Sequence, residues 1–376
     1  MKIVFLQKRF SEGGELMHML DLSSELVKLG NQVFILTGGL SVIFEQNERM
    51  KSIHSHFEQR GVKVIYMSFP DSTMNIFKYM FSLIKGIIQT YLFCKKNEID
   101  VVHVHRPIMT VIPKILNLKF VYTVHNMNLN RVFWCFKPTY QIAISQGTFD
   151  EVMNKFHYKP DEISIINNGV SKDFAQLATV AQKNAIKDSL GIDRDTVLIG
   201  FVGRITYEKG VDVLLNAIPL VRDRVKCEFK VILLGGFERS KEFIEKIIIK
   251  NNLEDIVNIY DFQNPKKFYD IYDVFVLPSR SEGFPLTVVE AMLSGCCVVR
   301  TNTGGAEEQI VNGESGFIFQ NENDSELSDI LVKLLSSEEY RQNISDKGRK
   351  RALDYFTSER MAKETQSVYN HVKLNW

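Results

Sequence analysis

Short runs of β-branched and aliphatic residues alternate along the chain with longer stretches whose apolar residues recur at helical spacing. In the first half the short runs predict strands, and amphipathic stretches such as Leu16–Leu29 predict the helices between them. Strands that alternate with helices indicate a parallel sheet with helices on both faces. The strands predicted in this half are Lys2–Leu6, Gln32–Thr37, Val62–Tyr66, Val101–Val104, Phe120–Val124 and Ile142–Ile144.

The same rhythm begins again in the second half, which predicts a second α/β domain. Between the halves, Ile163–Val170 reads as a strand followed by an Asn-Asn-Gly turn, and a polar stretch comes next. We therefore place the boundary near residue 175, with an N-terminal domain over 1–175 and a C-terminal domain over 176–356. Two such doubly wound domains are expected to bind ligands at the carboxyl ends of their strands, in the cleft between them. The strands predicted in the second half are Val197–Val202, Lys230–Leu234, Val257–Tyr260, Val274–Leu277 and Cys297–Thr301, and the helices include Val213–Val221 and Lys241–Lys250.

Composition narrows the class of protein. A chain of 376 residues is the length expected of two domains. The net charge of +1 argues against a dedicated nucleic-acid-binding protein. Five cysteines without the spacing of metal ligands favour a reducing cytoplasm. The first apolar run ends at Leu6 and is too short for a signal peptide, so it predicts a buried strand.

The most apolar long stretch of the chain, Met74–Cys94 within the predicted helix Met74–Lys96, is open to two interpretations. Lys78, Lys85 and Gln89 interrupt it, which excludes a transmembrane span. Its wide apolar face is what a helix packed on a parallel sheet needs, and we favour this interpretation. The alternative is a loose association with an anionic membrane surface, because basic residues exceed acidic ones by five in residues 1–180 and fall short by four in residues 181–376. The face consists of Ile76, Phe77, Met80, Phe81, Ile84, Ile87, Ile88 and Tyr91.

The clearest sign of chemistry is the segment 278–295. The predicted strand Val274–Leu277 leads into a loop, and Pro285 suits the first turn of a following helix. That turn carries backbone N–H groups without intrahelical partners, and the helix dipole makes it an anion site. Glu290 leans back toward this helix end, and Glu282 approaches it from the loop. Since a carboxylate beside a diphosphate is unfavourable, both must accept hydrogen bonds from hydroxyl groups, such as those of a ribose and a sugar. Taken singly, either glutamate also fits an ordinary surface position.

Two cations follow the predicted strand Val197–Val202. Arg204 and Lys209 flank a turn at its carboxyl end, where they would neutralise the charge that develops on a nucleoside diphosphate leaving group. Alternatively, they are solvated surface charges that pair with Glu208. A third segment, 301–317, contains a Gly-Gly turn that either presents backbone amides to a ligand or is a plain turn between strand and helix.

Together the three segments resemble the family-four retaining glycosyltransferases, a group of nucleotide-sugar transferases with the GT-B fold and an E-x7-E signature. Glu282 and Glu290 match that signature, and the resemblance spans nearly the whole chain. It implies an α/β architecture of two Rossmann-like doubly wound domains that face each other across a cleft, with an acceptor-binding N-terminal domain joined by a C-terminal helix over 357–376. The other matching positions are Gly203, Arg204, Lys209, Gly304, Gly305, Glu308, Gly13, Gly14, Asp100–His105, Tyr122–Asn126, Asn168–Val170, Tyr355, Phe356 and Ser358–Val372.

The resemblance implies a role for each matched site residue. Arg204 and Lys209 would bind the donor diphosphate, Glu290 the ribose, and Glu282 the transferred sugar. His125 would steady positive charge near the reacting sugar, which gives Glu282, His125, Arg204 and Lys209 as the catalytic set. His103 and His105 fit structural positions, and His105 is an alternative candidate for lining the cleft. The implied donor-binding set is Gly14, Gly203, Arg204, Lys209, Glu282, Gly283, Phe284, Pro285, Leu286 and Glu290.

Three features depart from the family or invite another interpretation. Where the family often has proline and a small residue, this chain has Cys297 and Arg300; the cysteine suits a core, whereas Arg300 is a candidate contact with donor or acceptor. Asp193 and Asp195 form a D-x-D string, which suggests a metal in other glycosyltransferases. Here the string precedes the strand that begins at Val197, at the end away from the cleft, so we expect a loop turn and no metal or other cofactor.

We therefore expect a retaining hexosyltransferase that moves a sugar from a nucleoside-diphosphate sugar, with a UDP-sugar as the favoured donor, to a hydroxyl of a glycan or lipid-linked acceptor. The resemblance suggests a role in bacterial surface or exopolysaccharide biosynthesis, in the cytoplasm or at the inner face of the cell membrane. The alternatives are a sugar-nucleotide isomerase or a phosphorylase on the same fold, and an inactive sugar-nucleotide-binding paralogue. The acceptor would be read by the N-terminal domain, around Gln7–Gly14, Met67–Phe81, Arg106 and Asn126–Lys137.

Overall fold

The chain divides into two compact units in the computed structural model, which describes residues 1–41, 48–71, 73–125, 135–237 and 240–373. Unit 1 comprises Met1–Gly169 and Ser358–Trp376, and unit 2 comprises Val170–Thr357. The first crossing between units thus falls at Gly169, slightly before the boundary predicted near residue 175. Residues 126–134 of the predicted acceptor stretch and residues 374–376 of the predicted C-terminal helix lie outside the described ranges.

Unit 1 is built on a seven-stranded parallel sheet. Its strands are β1 Lys2–Gln7, β2 Gln32–Thr37, β3 Lys63–Tyr66, β4 Val101–Val104, β5 Phe120–Val124, β6 Tyr140–Ala143 and β7 Ile163–Ile165, in the order β3-β2-β1-β4-β5-β6-β7. Its helices are α1 Gly14–Lys28, α2 Glu48–Lys51, α3 Ile53–Gln59, α4 Ile76–Asn97, α5 Val111–Ile115, α6 Gln146–Phe156 and, from the end of the chain, α15 Ser358–Val372. The order reverses between β1 and β4, the topological switch point of a doubly wound fold.

Unit 2 repeats this plan with six parallel strands. They are β8 Val197–Val202, β9 Phe229–Leu234, β10 Val257–Tyr260, β11 Val274–Leu277, β12 Cys297–Thr301 and β13 Phe317–Phe319, in the order β10-β9-β8-β11-β12-β13. The helices are α7 Val180–Ser189, α8 Val211–Arg222, α9 Lys241–Lys250, α10 Pro265–Tyr269, α11 Leu286–Leu293, α12 Ala306–Gln309, α13 Asp324–Leu335 and α14 Glu338–Tyr355. Both units are therefore Rossmann-like, as predicted.

The strands form where the sequence has continuous β-branched runs, because both faces of each sheet are covered. In β11, Val274, Phe275 and Val276 are all fully buried, and parallel strands buried on both faces read as unbroken apolar runs. Every predicted strand is present within two residues of its predicted ends. The edge strand β13 was not predicted.

The last helix, α15, completes the core of unit 1. Val368 and Tyr369 pack in the same apolar cluster as Ile3 and Phe5 of β1. Tyr369 also bonds through its hydroxyl to Nδ1 of His103, 2.6 Å away. The predicted return of the C-terminal helix to the first domain is thus fixed by both packing and a buried hydrogen bond.

The long helix α4 differs from the interpretation that we favoured. Of the eight residues in its predicted apolar face, Ile87 packs against the core of unit 1, whereas the other seven are exposed. The buried side of the helix is formed by Gly86, Thr90 and Cys94 instead. Within the described ranges, none of the helices combines the length and apolarity that a membrane span requires.

Candidate functional site

The predicted motifs of unit 2 meet at the carboxyl ends of β8 and β11. These two strands are neighbours at the position where the strand order of the sheet reverses. In doubly wound folds, ligands bind at this switch point because the loops on either side diverge there. The loop after β8 carries Arg204 and Lys209, and the loop after β11 carries Glu282.

Lys209 and Glu282 form a direct ion pair at this edge. The Nζ atom of Lys209 lies 2.6 Å from Oε1 of Glu282, and the two side chains are 23% and 10% exposed. Lys209 ends a short 3-10 helix, Tyr207–Lys209, that turns the chain into α8. The structure thus pairs Lys209 with Glu282 and not with Glu208, the partner in the alternative interpretation.

Arg280 holds the two loops together. Its guanidinium donates to both carboxylate oxygens of Asp212, at 2.9 and 2.7 Å, and stacks 3.7 Å above the ring of Tyr207. Its backbone N–H donates to the carbonyl oxygen of Glu208 at 2.8 Å. Asp212, together with Glu322, raises the pKa of Arg280 above its ordinary value. Planar, bidentate pairing of this kind fixes geometry as well as charge, so the loops are braced before a ligand binds.

Glycines allow the loops to approach closely. A Cβ atom on Gly304 would lie 2.3 Å from the carbonyl oxygen of Glu282, and Gly305 has a φ of 73°. A Cβ atom on Gly210 would lie 2.0 Å from the carbonyl oxygen of Pro278. The Gly304-Gly305 turn thus supports the backbone of the glutamate loop, a role that only glycine permits.

Glu290 is a buried residue in the second turn of α11. Its Oε2 atom accepts a hydrogen bond from the hydroxyl of Tyr269 at 2.9 Å, and the residue is only 8% exposed. Burial and the nearby Glu290 raise the pKa of Tyr269 well above its usual value, so the tyrosine stays protonated and donates. Tyr269 was not predicted as a site residue, because nothing in the sequence indicates that a tyrosine of the short helix α10 contacts α11.

Arg300 is a structural residue and not a ligand contact. It is fully buried, and its guanidinium donates to Gln309, to Oγ1 of Thr303 at 2.9 Å and to the carbonyl oxygen of Gly304 at 3.0 Å. Burial lowers its pKa to about 10. The prediction that Arg300 contacts donor or acceptor is therefore wrong. Arg300 instead stabilises the Gly304-Gly305 turn through hydrogen bonds made in the protein interior.

Arg204 and Gly203 follow β8 directly. Gly203 has a φ of 154°, and a Cβ atom on Gly235, at the end of β9, would lie 1.8 Å from its carbonyl oxygen. This approach turns the chain sharply and leaves Arg204 exposed at the carboxyl edge of the sheet. Gly235 was not singled out from the sequence. The requirement for glycine at this position becomes clear only when β8 and β9 are known to be neighbouring strands.

The remaining donor-loop residues lie between Glu282 and α11. Gly283 is partly buried, whereas Phe284, Pro285 and Leu286 are buried. Pro285 stands just before the first residue of α11, and its carbonyl oxygen accepts a hydrogen bond from Gln309 at 2.9 Å. The first-turn amides of α11 are thus held beside Glu282.

Unit 1 carries a cluster of histidines at the ends of β4 and β5. Nε2 of His125 lies 3.1 Å from Nδ1 of His105, and the His18 ring, from α1, meets the His125 ring edge-on at 4.5 Å between centroids. His103 is satisfied by Tyr369 and Thr123, which fits its structural interpretation. His105 is buried and bonds to His125 instead of standing exposed.

Burial keeps these imidazoles neutral. It lowers the pKa of His18 to about 4, although the neighbouring Asn168 side chain opposes this shift. Burial, followed by the neighbouring imidazoles, lowers the pKa of His105 and His125 well below the ordinary value. Near neutral pH, His125 can therefore donate or accept a hydrogen bond but carries no charge of its own.

Gly14 opens α1 at the end of the loop after β1. The preceding residue, Gly13, has a φ of 146°, so the backbone conformation that favours glycine is at Gly13. Gly14 is exposed and contributes a first-turn amide of the helix. Beside it, Glu15 accepts a hydrogen bond from Nε of Arg106 at 2.7 Å, which fixes one residue of the predicted acceptor region.

Two groups of residues bear on metal binding. Asp193 accepts a hydrogen bond from the backbone N–H of Asp195 at 2.9 Å, in an exposed turn before β8, which is the loop turn that we expected. The ligand atoms of His18, His105 and His125 lie within 4.8 Å of one another, and neutral imidazoles in that arrangement can hold a metal ion.

Comparisons with known proteins place this architecture in a family. The sequence model of the family described as "Glycosyl transferases group 1" matches residues 182–351, and that of "Glycosyltransferase Family 4" matches residues 13–174. Together they take in both units. The chain belongs to the family-four glycosyltransferases.

Curated relatives within this family are similar at modest identity. An uncharacterised glycosyltransferase of Methanocaldococcus jannaschii is 24% identical over 95% of this chain and 94% of its own length. The capsular polysaccharide biosynthesis glycosyltransferase CapM of Staphylococcus aureus is 28% identical over 61% of this chain and 60% of its own. The chain is therefore a glycosyltransferase.

Solved GT-B structures share the fold. HepE of Anabaena, in complex with UDP, superposes with a TM-score of 0.81 at 17% identity over 99% of this chain and all of that one. Its complex with UDP-glucose gives a TM-score of 0.80 at 18% identity, over 98% of this chain and 99% of that one. At these identities the likeness establishes the glycosyltransferase fold of the chain.

Proposed function

We propose that this glycosyltransferase moves a hexose from a UDP-sugar to a hydroxyl of a glycan or lipid-linked acceptor, with retention at the anomeric carbon. The observation that carries the proposal is the ion pair between Lys209 and Glu282, held at the switch point of unit 2 beside Arg204 and the N-terminus of α11. Cations and helix-end amides suit a diphosphate, and buried carboxylates suit hydroxyl groups.

The ion pair answers the electrostatic objection to a carboxylate beside a diphosphate. Lys209 neutralises Glu282 across 2.6 Å, so the glutamate can accept a sugar hydroxyl without adding a net negative charge. An ammonium group has three donors, so Lys209 can keep Glu282 and still donate to a phosphate oxygen. Arg204, exposed at the same edge, would take the rest of the diphosphate charge.

Glu290 is proposed to bind the ribose hydroxyls. The hydrogen bond from Tyr269 fixes its carboxylate, and a fixed acceptor recognises a diol better than a mobile one. The backbone from Gly283 to Leu286 would hold the transferred sugar. Gly203 would allow the approach of the diphosphate to the end of β8.

The reaction that we propose breaks the bond between the anomeric carbon and the diphosphate oxygen, and forms a bond from that carbon to the acceptor oxygen on the same face. The acceptor hydroxyl gives its proton to an oxygen of the departing diphosphate. The products are a glycoside and a nucleoside diphosphate. His125, neutral through burial, would steady the positive charge on the sugar through its carbonyl or ring, and the amide of Gly14 would face a donor phosphate. We propose that no metal or other cofactor takes part.

The donor and the pathway rest on similarity. HepE, which shares the fold, has been crystallised with UDP and with UDP-glucose, and CapM is named for capsular polysaccharide biosynthesis. We therefore propose a UDP-sugar donor and a role in bacterial surface or exopolysaccharide biosynthesis, in the cytoplasm at the inner face of the membrane.

A panel of nucleotide sugars tests this function. The purified chain is incubated with each one, with and without lipid extracts or glycans, and release of nucleoside diphosphate is measured. We expect slow release from a UDP-sugar without acceptor, faster release with one, and an anomeric proton coupling in the product that matches the donor. Glu282→Gln should slow release about 100-fold, whereas Glu307→Gln, on the exposed surface of α12, should not. An inverted product would refute retention, a free sugar phosphate would indicate a phosphorylase, and an isomerised donor an isomerase.

A further inference from the structure

Helix α4 exposes its apolar side and buries its small and polar side. Gly86, Thr90 and Cys94 face the interior, while eight large apolar residues face solvent with exposed fractions from 37% at Tyr91 to 84% at Phe77. A helix that covers a sheet normally has the opposite distribution. We call the exposed set the outer face of α4: Ile76, Phe77, Met80, Phe81, Ile84, Ile88, Tyr91 and Leu92.

The rotation of α4 about its axis is fixed by contacts on its inner side. Gln89 accepts a hydrogen bond from the backbone N–H of Ser68 at 2.8 Å, and Ser82 donates to the carbonyl oxygen of Ser68 at 3.0 Å. A Cβ atom on Gly86 would lie 2.7 Å from the ring of Phe69, so the helix sits too close for a larger residue there. The outer face therefore cannot turn inward without losing these contacts.

The outer face is too large to be an ordinary surface feature. It runs from Ile76 to Leu92, which is about 24 Å at the rise of an α-helix, and its residues lie within an arc of about 160°. At roughly 200 Å² per large apolar side chain, the exposed fractions amount to an area of about 900 Å². The largest apolar patch of a typical monomer is about 300–600 Å², and larger ones mark binding surfaces.

The charges on α4 indicate what covers this face. Lys78, Lys85, Lys95 and Lys96 are exposed, and the helix contains no acidic residue. Lys78, Lys85 and Lys96 follow one edge of the outer face, as lysines do in helices that lie in a membrane interface. A second copy of α4 would bring lysines without acidic partners, whereas an anionic surface complements them.

We propose that the outer face of α4 binds an anionic phospholipid surface, with its apolar side chains among the acyl chains and its lysines at the phosphates. The inference deepens the proposed function by naming a partner. It rests on that function only for the further step that the acceptor is a lipid in the same membrane. Binding to vesicles without any sugar is therefore a separate test.

Flotation of the full chain with vesicles tests the inference. Phosphatidylcholine vesicles are compared with vesicles rich in phosphatidylglycerol, without donor or acceptor, at low salt and at about 1 M salt, where the Debye length falls to about 3 Å. The variants are Ile84→Ser with Ile88→Ser, and Lys85→Gln with Lys96→Gln. The matched control is Phe243→Ser with Ile249→Ser on α9, where both residues are also exposed but Glu242 and Glu245 lie among the lysines.

We expect binding to anionic vesicles that high salt weakens. The apolar pair should reduce it about tenfold or more, and the lysine pair by roughly fivefold per lysine. The α9 control should bind like the native chain, and the variants should keep donor hydrolysis, since their residues lie outside the donor site. Equal recovery on neutral and anionic vesicles, or none on either, would overturn the inference. So would a native dimer that the apolar pair converts to a monomer, because the occupant would then be a second copy.

Discussion

Replacing Lys209 by alanine is the sharpest test of the donor site. The change removes a cation 2.6 Å from Glu282, in a setting where the lysine side chain is 23% exposed. Loss of one preorganised contact to developing charge costs about 2.7–4 kcal/mol in comparable sites. Because Lys209 keeps some contact with water, which screens its charge, we expect the lower end, about a 100-fold fall in kcat/KM.

The assay separates binding from chemistry. Steady-state release of nucleoside diphosphate should show the loss mainly in kcat, because the charge on the leaving group develops in the transition state. Lys209→Arg should recover part of the activity. Lys250→Ala is the control, since this lysine is exposed in the last turn of α9, at the opposite end of that helix from the loop after β8.

A double variant distinguishes two roles of the lysine. If Lys209 only positions Glu282, Lys209→Ala combined with Glu282→Gln should be no worse than Glu282→Gln alone. If it also contacts the diphosphate, the double variant should lose further activity. The free energy of unfolding should fall by only about 1 kcal/mol in Lys209→Ala, because the ion pair is not fully buried. A kcat/KM within about threefold of the native value would refute the assignment.

Three further predictions follow from described contacts. Tyr269→Phe should raise the KM for the donor about tenfold, because it removes the hydrogen bond that fixes the charged Glu290. The control is Tyr272→Phe, which should have little effect on that KM. Tyr272 is a buried neighbour, and its hydroxyl has no hydrogen-bond partner within the described part of the chain. Activity should persist in excess EDTA, with metal content measured in parallel; a loss restored only by Mg²⁺ or Mn²⁺ would contradict the metal-free reaction and direct attention to Asp193 and Asp195, or to the histidine cluster. Thermal stability should fall as the pH drops from about 6.5 toward 4, because His18 binds a proton in the unfolded chain at these pH values but not in the folded chain, where burial lowers its pKa to about 4. The contribution of His18 to the free energy of unfolding should change by about 3 kcal/mol over this range. The melting temperature of His18→Leu should therefore vary less with pH, and the same variation as in the native chain would contradict this prediction.

The sequence predicted the strands well for a physical reason. Strands such as β11 are buried on both faces, so their residues are uniformly apolar, and no tertiary contact competes with that pattern. The positions of Arg204, Lys209 and Glu282 on the loops after β8 and β11 were also predicted from the family motifs, whereas the roles of these residues in the reaction stay predictions.

Contacts made across the fold were beyond the sequence. The partner of Glu290 is Tyr269, and nothing in a linear pattern brings α10 to α11. Arg300 could be a ligand contact or an interior brace until its burial is known. The prediction for α4 failed for the same reason. An apolar stripe predicts an amphipathic helix, but the inner side is set by the close packing of Gly86 and by hydrogen bonds of Gln89 and Ser82 with the backbone of Ser68.

The return of α15 to unit 1 has a consequence for synthesis on the ribosome. Unit 2 is continuous from Val170 to Thr357, so all of its residues are synthesised before the first residue of α15. Unit 1 lacks Val368 and Tyr369 until α15 has been synthesised, so this part of its core stays open until then. Unit 2 therefore receives all of its residues before unit 1 does, although its first residue is made later, and a nascent chain that stops before Ser358 carries a complete unit 2 and an incomplete unit 1.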